Sequence, residues 1–377
     1  MMPHGLPRAS TVPPMQLVHA LGKRAVILIA VGLGGIIATV GLRATGAADT
    51  IVFVVAAVTL AGLAGLVGEG TDQLGSRLGP ATTGVLQSAL GNLPELFISL
   101  FSLKAGLVVL VQTALIGSIL ANSLLVLGLA FIAGGRRHGR LSFDAAPVRT
   151  IAIMLVLAVA ALVIPSVSTA PGAPDAGHPI EISVFVSVIL LIVFAASIPY
   201  SLGGGAWASV SEAAVEAEHR WSMRITLGVL LGAAVGAAFV SDWFVEALRP
   251  AMATLGLSEA FVGLVVVAIA GNAVENVVGI QAALRGRIDL GISLIQNSSL
   301  QVAIALTPVL VIASLFIGPT PMTLVLDPTL LAGLALAAIL GALVVFDGEA
   351  TWLEGLMLVG LYLIIAASVW YGPPVRI

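Results

Sequence analysis

Cysteine is absent from this chain of 377 residues. Its absence excludes disulfide bonds, thiolate metal sites and a cysteine nucleophile, and it leaves the redox compartment open. Charge is also scarce, since only 9% of the residues are charged, whereas soluble domains carry roughly 25%. The hydrophobic fraction is 59% and the mean hydropathy is +1.13. A soluble fold could not hide this much apolar surface, so the composition predicts a protein solvated by the lipid bilayer.

This chain lacks the residues that several classes of enzyme and pump require. The chain has no His-Glu-x-x-His pair and no phosphate-binding Gly-rich loop with lysine, which argues against a metalloprotease and a nucleotide-driven pump. Asp144, Asp289 and Asp347 lie at predicted segment ends, which argues against an intramembrane aspartyl protease. No long basic run is present, so no nucleic-acid partner is expected. The sequence therefore predicts a transporter driven by an ion gradient, with no enzymatic activity and no cofactor.

Long apolar segments fill most of the chain. Crossing a hydrocarbon core of roughly 30 Å takes about 20 apolar residues in a helix. Eleven segments of this kind lie near residues 25–45, 50–68, 81–103, 107–133, 148–165, 181–201, 224–247, 258–283, 289–317, 329–347 and 352–371. Gly, Pro, Asn or Ser interrupt the third, fourth, eighth and ninth. This pattern predicts an all-α polytopic membrane protein with about eleven transmembrane helices.

Lysine and arginine predict the orientation, because cytoplasmic loops retain them. An N-terminus in the cytoplasm places most of the sixteen Lys and Arg residues inside, and the C-terminus then lies outside. The first apolar run lacks a small-residue cleavage site, so we expect it to be a retained helix rather than a signal peptide. The short tails and the lack of targeting segments favour a prokaryotic plasma membrane. The sequence leaves the oligomeric state open, a homo-oligomer included.

An internal repeat determines the expected architecture. Gly91-Asn92-Leu93-Pro94-Glu95 in the third segment corresponds to Gly271-Asn272-Ala273-Val274-Glu275 in the eighth, 180 residues later. Gly106 and Gly286 match at the same offset, as do Ser118 and Ser298. Upstream, Glu69 and Glu246 each precede a glycine by ten residues.

The repeat divides the chain into four parts. Residues 1–48 form a tail and an extra helix, 49–202 the first repeat, 203–223 an acidic cytoplasmic linker and 224–377 the second repeat. Five crossings per repeat is an odd number, so the two copies enter the membrane from opposite sides. Inverted repeats of this kind usually bind their substrate near the midplane, where broken helices meet.

Glu95 and Glu275 are the strongest candidates for that site. A charged side chain at this depth costs at least roughly 2.5–3.5 kcal/mol on insertion scales, so two at equivalent positions need a function. Glycine, asparagine and Pro94 should break the helices and free backbone carbonyls. Carbonyls, amides and paired carboxylates form a hard oxygen cage that suits Ca²⁺ better than Mg²⁺. Ligand type alone does not separate Ca²⁺ from Mn²⁺ or another divalent ion, so exchange of another divalent ion is an alternative.

The same two carboxylates can carry protons. Without a metal they would repel each other at low dielectric and take up protons. Metal and protons then exclude one another, which is the minimum chemistry of an exchanger. Other readings stay open at this point, because Asn92 and Asn272 could cap half-helices, the serines could serve close packing, and a ring of carboxylates could select cations in a passive channel.

The two Gly-Asn-x-x-Glu motifs, with Gly117-Ser118 and Ser298-Ser299-Leu300-Gln301 downstream, resemble the calcium/cation antiporter superfamily in its proton-coupled branch. The resemblance covers nearly the whole chain and implies ten helices in inverted repeats plus one extra helix. It implies that Ca²⁺ is the transported substrate and that Glu95 and Glu275 bind it. The residues that it further places around the site are Gly91 and Gly271 by their carbonyls, then Asn92, Asn272, Ser118, Asn122, Ser298 and Gln301.

Two residues depart from related patterns. The sodium-coupled branch has Asp four residues after the second serine, where this chain has Val302. The absence of this aspartate weakens a sodium site and favours protons as the coupling ion, although coupling to Na⁺ remains the alternative. Asn297 stands where the proton-coupled branch commonly has glycine, and it could add an oxygen ligand or cap a broken helix.

Overall fold

The computed structural model describes residues 21–78, 90–202 and 221–370. The side chains at 75, 76, 78, 200–202, 274 and 275 lie outside this description, as does most of the predicted acidic linker. Almost every described residue is helical. The predicted all-α class is therefore confirmed.

The helices follow the predicted segments in order. The first half contains α1 (Lys23–Ala44), α2 (Asp49–Leu78), α3 (Leu93–Lys104), α4 (Val108–Leu120), the π-helix π1 (Ala121–Val126), α5 (Leu127–His138), strand β1 (Leu141–Ser142), α6 (Ala145–Ser168) and α7 (Pro179–Leu202). The second half contains α8 (Met223–Leu255), α9 (Glu259–Phe261), π2 (Val262–Val267), α10 (Ala268–Gly271), α11 (Ala273–Leu284), α12 (Ile288–Gln301), π3 (Val302–Leu306), α13 (Thr307–Ser314), α14 (Pro328–Val344), strand β2 (Glu349–Ala350) and α15 (Trp352–Trp370).

Within the described part of the chain, eight helices are long and apolar enough to cross a membrane. A ninth span results if the bent pair Glu259–Gly271 and Asn276–Leu284 is counted as one. The 17-residue helix α14 is shorter, and the third predicted segment lies partly outside the described residues. The polytopic membrane fold is confirmed, and the expected eleven spans are consistent with this arrangement.

Two predicted boundaries were wrong. Helix α2 continues to Leu78 instead of ending near residue 68, and α8 continues to Leu255 instead of ending near 247. At 1.5 Å per residue, helices of 30 and 33 residues are longer than the roughly 30 Å hydrocarbon core. The loss of apolar character therefore marks where these helices leave the core, and the helices themselves extend further.

The internal repeat is visible in the backbone. Helices α3 and α11 begin and end 180 residues apart, and α4 and α12 begin at the same offset. The intervening turns contain Gly106 with φ +76° and Gly286 with φ +78°, a conformation that glycine adopts readily. π-Helices follow both α4 and α12. The domain boundaries at 48, 202 and 223 stay predictions.

Loops that were predicted on the same side of the membrane contact each other. Strand β1 pairs antiparallel with β2, which joins the loop after α5 to the loop after α14. On the opposite face, Arg249 Nη2 donates to Ala105 O at 2.8 Å, and Ser166 Oγ donates to Leu324 O at 3.0 Å. These contacts agree with the predicted alternation of loops between two faces.

Two apolar cores meet at the centre of the molecule. One contains α2, α3 and α8, where Phe53 stacks on Phe244 with ring centroids 5.0 Å apart. The other contains α5, α6, α12, α14 and α15. Helix α4 and π2 contribute to both cores. The backbones of α4 and π2 are in direct contact, because a Cβ added at Gly117 of α4 would lie 2.6 Å from Leu264 Cα of π2.

Candidate functional site

Two helix breaks at equivalent positions shape the centre of the structure. Helix α3 begins after Asn92, whose φ and ψ are −89° and 11°, and Pro94 occupies its first turn. Helix α11 begins after Asn272, with φ −104° and ψ 18°. The bend around the second break is 61°. The predicted interruption of both helices is confirmed.

Glu95 lies in the first turn of α3 and is fully buried, with 0% of its surface exposed. The free N–H groups and the dipole at a helix N-terminus stabilise negative charge there. Ser118 at the end of α4 donates a hydrogen bond to Glu95 Oε1. This bond joins the first turn of α3 to the end of α4.

Asn272 connects this pair to the second repeat. Its Nδ2 donates to Ser118 Oγ at 2.9 Å and to Ala268 O at 2.9 Å. The first bond orders the serine that faces Glu95, and the second caps the half-helix that ends at the break. The two interpretations of Asn272, as a site residue and as a cap, are therefore both consistent with its contacts.

The hydrogen-bonded network continues into the fourth and ninth predicted segments. Ser298 Oγ donates to Asn272 Oδ1 at 3.4 Å, and Asn122 Nδ2 donates to Ser298 Oγ at 3.1 Å. Asn122 Oδ1 is buried and accepts no hydrogen bond from the described residues. An amide oxygen in this state is available as a ligand for a hard cation.

Gly271 lies directly against Glu95. A Cβ added at Gly271 would be 3.5 Å from Glu95 Cβ and 3.8 Å from its Cδ. The glycine before the second break therefore brings the backbone of one repeat beside the carboxylate of the other. This close approach places elements of both repeats around one point, as expected for inverted repeats.

Several residues of this network lie in or near π-helices. Ser118 and Asn122 precede or lie in π1, and Ser298 precedes π3. Asn122 contacts Ser298 across 176 residues rather than the repeat offset of 180. Asn122 and Ser298 meet where π1 packs against α12, so they are neighbours in space without being equivalent in the repeat. π-Turns are frequent at functional sites.

Some predicted site residues are not joined to this network among the described side chains. Gly91 and Asn92 lie half-buried at the first break, and Gln301 is buried at the end of α12. The side chain of Glu275 falls outside the described residues, although α11 carries its backbone. The roles of these four residues stay predictions.

The structure adds polar residues that the sequence did not identify as part of the site. Ser123 Oγ lies 3.4 Å from Ser299 Oγ, and Gln296 Nε2 donates to Gly341 O at 3.2 Å. Each of these residues is a polar side chain in an apolar helix, and this was the only feature of the sequence that could have identified them. That signal does not distinguish a site residue from an ordinary interhelical hydrogen bond.

Glu69 and Glu246 form ion pairs with the extra helix α1. Arg24 Nε lies 3.8 Å from Glu69 Oε2, and Arg43 pairs with Glu246 near the other end of α1. Arg43 also lies 5.6 Å from the centre of the Trp243 ring. These contacts favour a structural role over a role in the ion path for both glutamates.

The donor set is dominated by oxygen. The described residues contain no cluster of three or more His, Cys, Asp or Glu side chains. In the network itself, the Glu95 carboxylate is joined by neutral hydroxyl and amide groups. Hard cations prefer oxygen ligands of this kind. The site can therefore accommodate a hard cation together with its charge-balancing carboxylate.

Comparisons with known proteins agree with this architecture. The sequence profile described as sodium/calcium exchanger protein matches residues 48–203 and 225–371. The Ca²⁺/H⁺ antiporter ChaA of Bacillus subtilis is 34% identical over 323 residues, which cover 84% of this chain and 91% of that protein. A Ca²⁺/H⁺ antiporter of Synechocystis is 32% identical over 348 residues, with 87% and 93% covered.

Solved structures give the same assignment. The crystal structure of the Ca²⁺/H⁺ antiporter protein YfkE superposes with a TM-score of 0.77 at 30% identity, covering 91% of this chain and 99% of that one. The resemblance drawn from the two Gly-Asn-x-x-Glu motifs is thus confirmed, and the chain belongs to the sodium/calcium exchanger protein family.

Proposed function

We propose that this protein exchanges Ca²⁺ for H⁺ across a membrane as a secondary antiporter. The observation that carries the proposal is the fully buried carboxylate of Glu95, which accepts a hydrogen bond from Ser118, while Ser118 accepts one from Asn272 of the other repeat. The similarity to proteins named Ca²⁺/H⁺ antiporters supports the choice of ions.

Ca²⁺ is bound in this proposal by Glu95 and Glu275, with carbonyls of Gly91 and Gly271 and the side chains of Asn92 and Asn272. Ser118, Asn122, Ser298 and Gln301 line the site. Two carboxylates match the charge of one Ca²⁺, and the neutral oxygens complete a coordination shell of about 6–8 ligands. The contact between Gly271 and Glu95 supports a cage built from both repeats.

The same carboxylates take up protons when Ca²⁺ leaves. A buried carboxylate whose charge is not balanced is costly, so the site is either metal-bound or protonated. Each ion then crosses only when the other has left, which couples the two fluxes. Alternating access follows from the inverted repeats, in which the two broken helices exchange roles at the two membrane faces.

We place the protein in a prokaryotic plasma membrane with its N-terminus in the cytoplasm and its C-terminus outside. The distribution of Lys and Arg supports this orientation. In this orientation, the turn at Gly106 faces outwards and the turn at Gly286 faces the cytoplasm. Protons entering from outside would then drive Ca²⁺ out of the cell.

The direct test is uptake of ⁴⁵Ca²⁺ into proteoliposomes under an imposed pH gradient. We expect uptake in the wild type and its loss in Glu95→Gln and Glu275→Gln, each of which keeps the size of the side chain. Glu259→Gln is a matched control, because Glu259 accepts a hydrogen bond from Leu110 N at 2.9 Å in the same broken span, outside the network. Uptake driven only by Na⁺ would support the sodium-coupled alternative, and uptake indifferent to both gradients would support a channel.

A further inference from the structure

Two serines continue along α3 from Glu95. Ser99 and Ser102 follow Glu95 at i+4 and i+7, a spacing that puts all three side chains on one face of the helix. The exposed fractions are 0% for Glu95, 1% for Ser99 and 0% for Ser102. A line of buried polar side chains therefore runs from the carboxylate toward the turn at Gly106.

The hydroxyls of these serines are not satisfied by the helix. Ser99 Oγ and Ser102 Oγ have no hydrogen-bond partner among the described residues. Other buried hydroxyls in this protein donate to the carbonyl four residues earlier, as Thr71 does to Val67 O and Ser187 to Ser183 O. Buried polar groups that lack a protein partner are usually bonded to ordered water. Water beside α3 would satisfy both hydroxyls.

A third hydroxyl of the same kind lies on the neighbouring helix. Ser241 of α8 is 0% exposed, and its Oγ has no partner among the described residues. Helix α8 packs against α3, and Ile98, adjacent to Ser99, shares an apolar core with residues of α8. The charged side chains near the outer end of these helices include Lys104, Arg249, Glu259 and Glu246, which pairs with Arg43. Asp242 follows Ser241 directly on α8.

The equivalent positions in the other repeat carry no hydroxyl. Ser99 and Ser102 correspond to Gly279 and Ala282 at the offset of 180, and Ser241 corresponds to Ala64 at the offset of 177 that relates Glu246 to Glu69. Gly279 also packs closely, since a Cβ there would lie 2.7 Å from Ile295 Cγ1. The polar line beyond Glu95 is therefore a property of one repeat, and thus of one side of the membrane.

We propose that Ser99, Ser102 and Ser241 hold water and form a proton path between Glu95 and the outer face, separate from the route of Ca²⁺. A proton passes when each hydroxyl or water accepts one proton and gives its own to the next, ending on a carboxylate oxygen of Glu95. The net change is one O–H bond broken in a hydronium ion at the outer face and one O–H bond formed at Glu95, while the hydroxyls and waters between them are restored. This inference rests on the proposed Ca²⁺/H⁺ exchange.

Two modes of transport in proteoliposomes test the path. Uptake driven by a pH gradient needs proton transfer, whereas exchange of ⁴⁵Ca²⁺ for unlabelled Ca²⁺ at equal pH needs only the Ca²⁺-bound transporter. We expect the double variant Ser99→Ala/Ser102→Ala to slow pH-driven uptake by about tenfold, the rate cost of about one lost hydrogen bond. Ca²⁺/Ca²⁺ exchange should stay at the wild-type rate.

Ser187→Ala is the matched control, because it removes a buried hydroxyl that has a backbone partner elsewhere. The variant Ser99→Ala/Ser102→Thr has one hydroxyl more than the double alanine variant. It should therefore recover part of the pH-driven rate that the double alanine variant loses. An unchanged pH-driven rate in the double variant, or an equal loss of both modes, overturns the proton path. A wild type that shows no pH-driven uptake contradicts the proposed function itself.

Discussion

At the scale of single residues, Ser118 has the central position. Its hydroxyl accepts a hydrogen bond from Asn272 Nδ2 and donates one to Glu95 Oε1. One small side chain therefore orients the carboxylate of the first repeat with the amide of the second. Hydrogen bonds to a charged group are stronger than those between neutral groups. The low dielectric of the protein interior strengthens them further.

Ser118→Ala should weaken Ca²⁺ binding by roughly tenfold or more. A hydrogen bond to a charged group contributes about 1.5–3 kcal/mol, and its loss leaves Asn272 and Glu95 less well ordered. The measurement is the Ca²⁺ concentration that gives half-maximal uptake in proteoliposomes. Ser168→Ala is a control outside the site, since its hydroxyl bonds only Pro165 O among the described residues. An unchanged half-maximal concentration would contradict the role of Ser118.

Only part of this residue-level picture could be predicted from the sequence. The repeated motif identified Glu95, Asn272, Ser118 and Ser298, because matching positions in two apolar segments are improbable without a function. It could not identify the Asn122–Ser298 contact, because that contact depends on how the helices cross. Ser99 and Ser102 were missed, since a serine in an apolar helix is common and only its unsatisfied hydroxyl distinguishes it.

At the scale of elements, close backbone contact joins the two repeats. A Cβ at Gly117 would lie 2.6 Å from Leu264 Cα, and a Cβ at Gly263 would lie 2.6 Å from Leu110 O. Helix α4 and π2 can approach this closely only through glycine. The contact holds the end of α4, and hence Ser118, at its distance from the second break.

Gly117→Ala should destabilise the protein by about 1–3 kcal/mol, because overpacking against backbone cannot be relieved by a rotamer change. Gly232→Ala is the matched control. Gly232 lies in α8 with no atom within 4 Å of an added Cβ, so the change should be neutral or stabilising, since alanine favours helix by about 1 kcal/mol over glycine. Thermal unfolding in detergent measures both. Equal midpoints for the two variants would contradict the close contact.

The sequence predicts the breaks in the helices better than it predicts where the helices end. The breaks at Asn92 and Asn272 could be predicted, because glycine precedes each asparagine and Pro94 follows the first one. The π-turns at Ala121–Val126 and Val302–Leu306 have no signature in composition or hydropathy. The ends of α2 and α8 were placed too early, because hydropathy reports where a helix leaves lipid and not where its hydrogen bonds stop.

At the scale of the whole molecule, the extra helix α1 connects the two repeats. Gly35 and Gly62 lie in close contact between α1 and α2, where added Cβ atoms would overlap Thr59 and Val31. The ion pair between Arg43 and Glu246 links the same helix to α8. Helix α1 therefore packs on α2 of the first repeat and contacts α8 of the second through both this ion pair and apolar side chains such as Ile36, which lies beside Gly236.

The Arg43–Glu246 pair should contribute little to stability. Both side chains are substantially exposed, so a double-mutant cycle with Arg43→Gln and Glu246→Gln should give a coupling free energy of about 0.2–1 kcal/mol. Salt should reduce it further. We expect the half-maximal Ca²⁺ concentration to remain unchanged in all three variants. A tenfold change there would instead place Glu246 in the ion path, the alternative considered for it from the sequence.

The central claim is that Ca²⁺ and protons compete for the same carboxylates. Calorimetric titration of the purified protein with Ca²⁺, repeated in buffers of different ionisation enthalpy, counts the protons released on binding. The account predicts proton release by the wild type, a Ca²⁺ affinity that falls as the pH is lowered, and reduced release in Glu95→Gln. Ca²⁺ binding without proton release, at an affinity that does not change with pH, would contradict it.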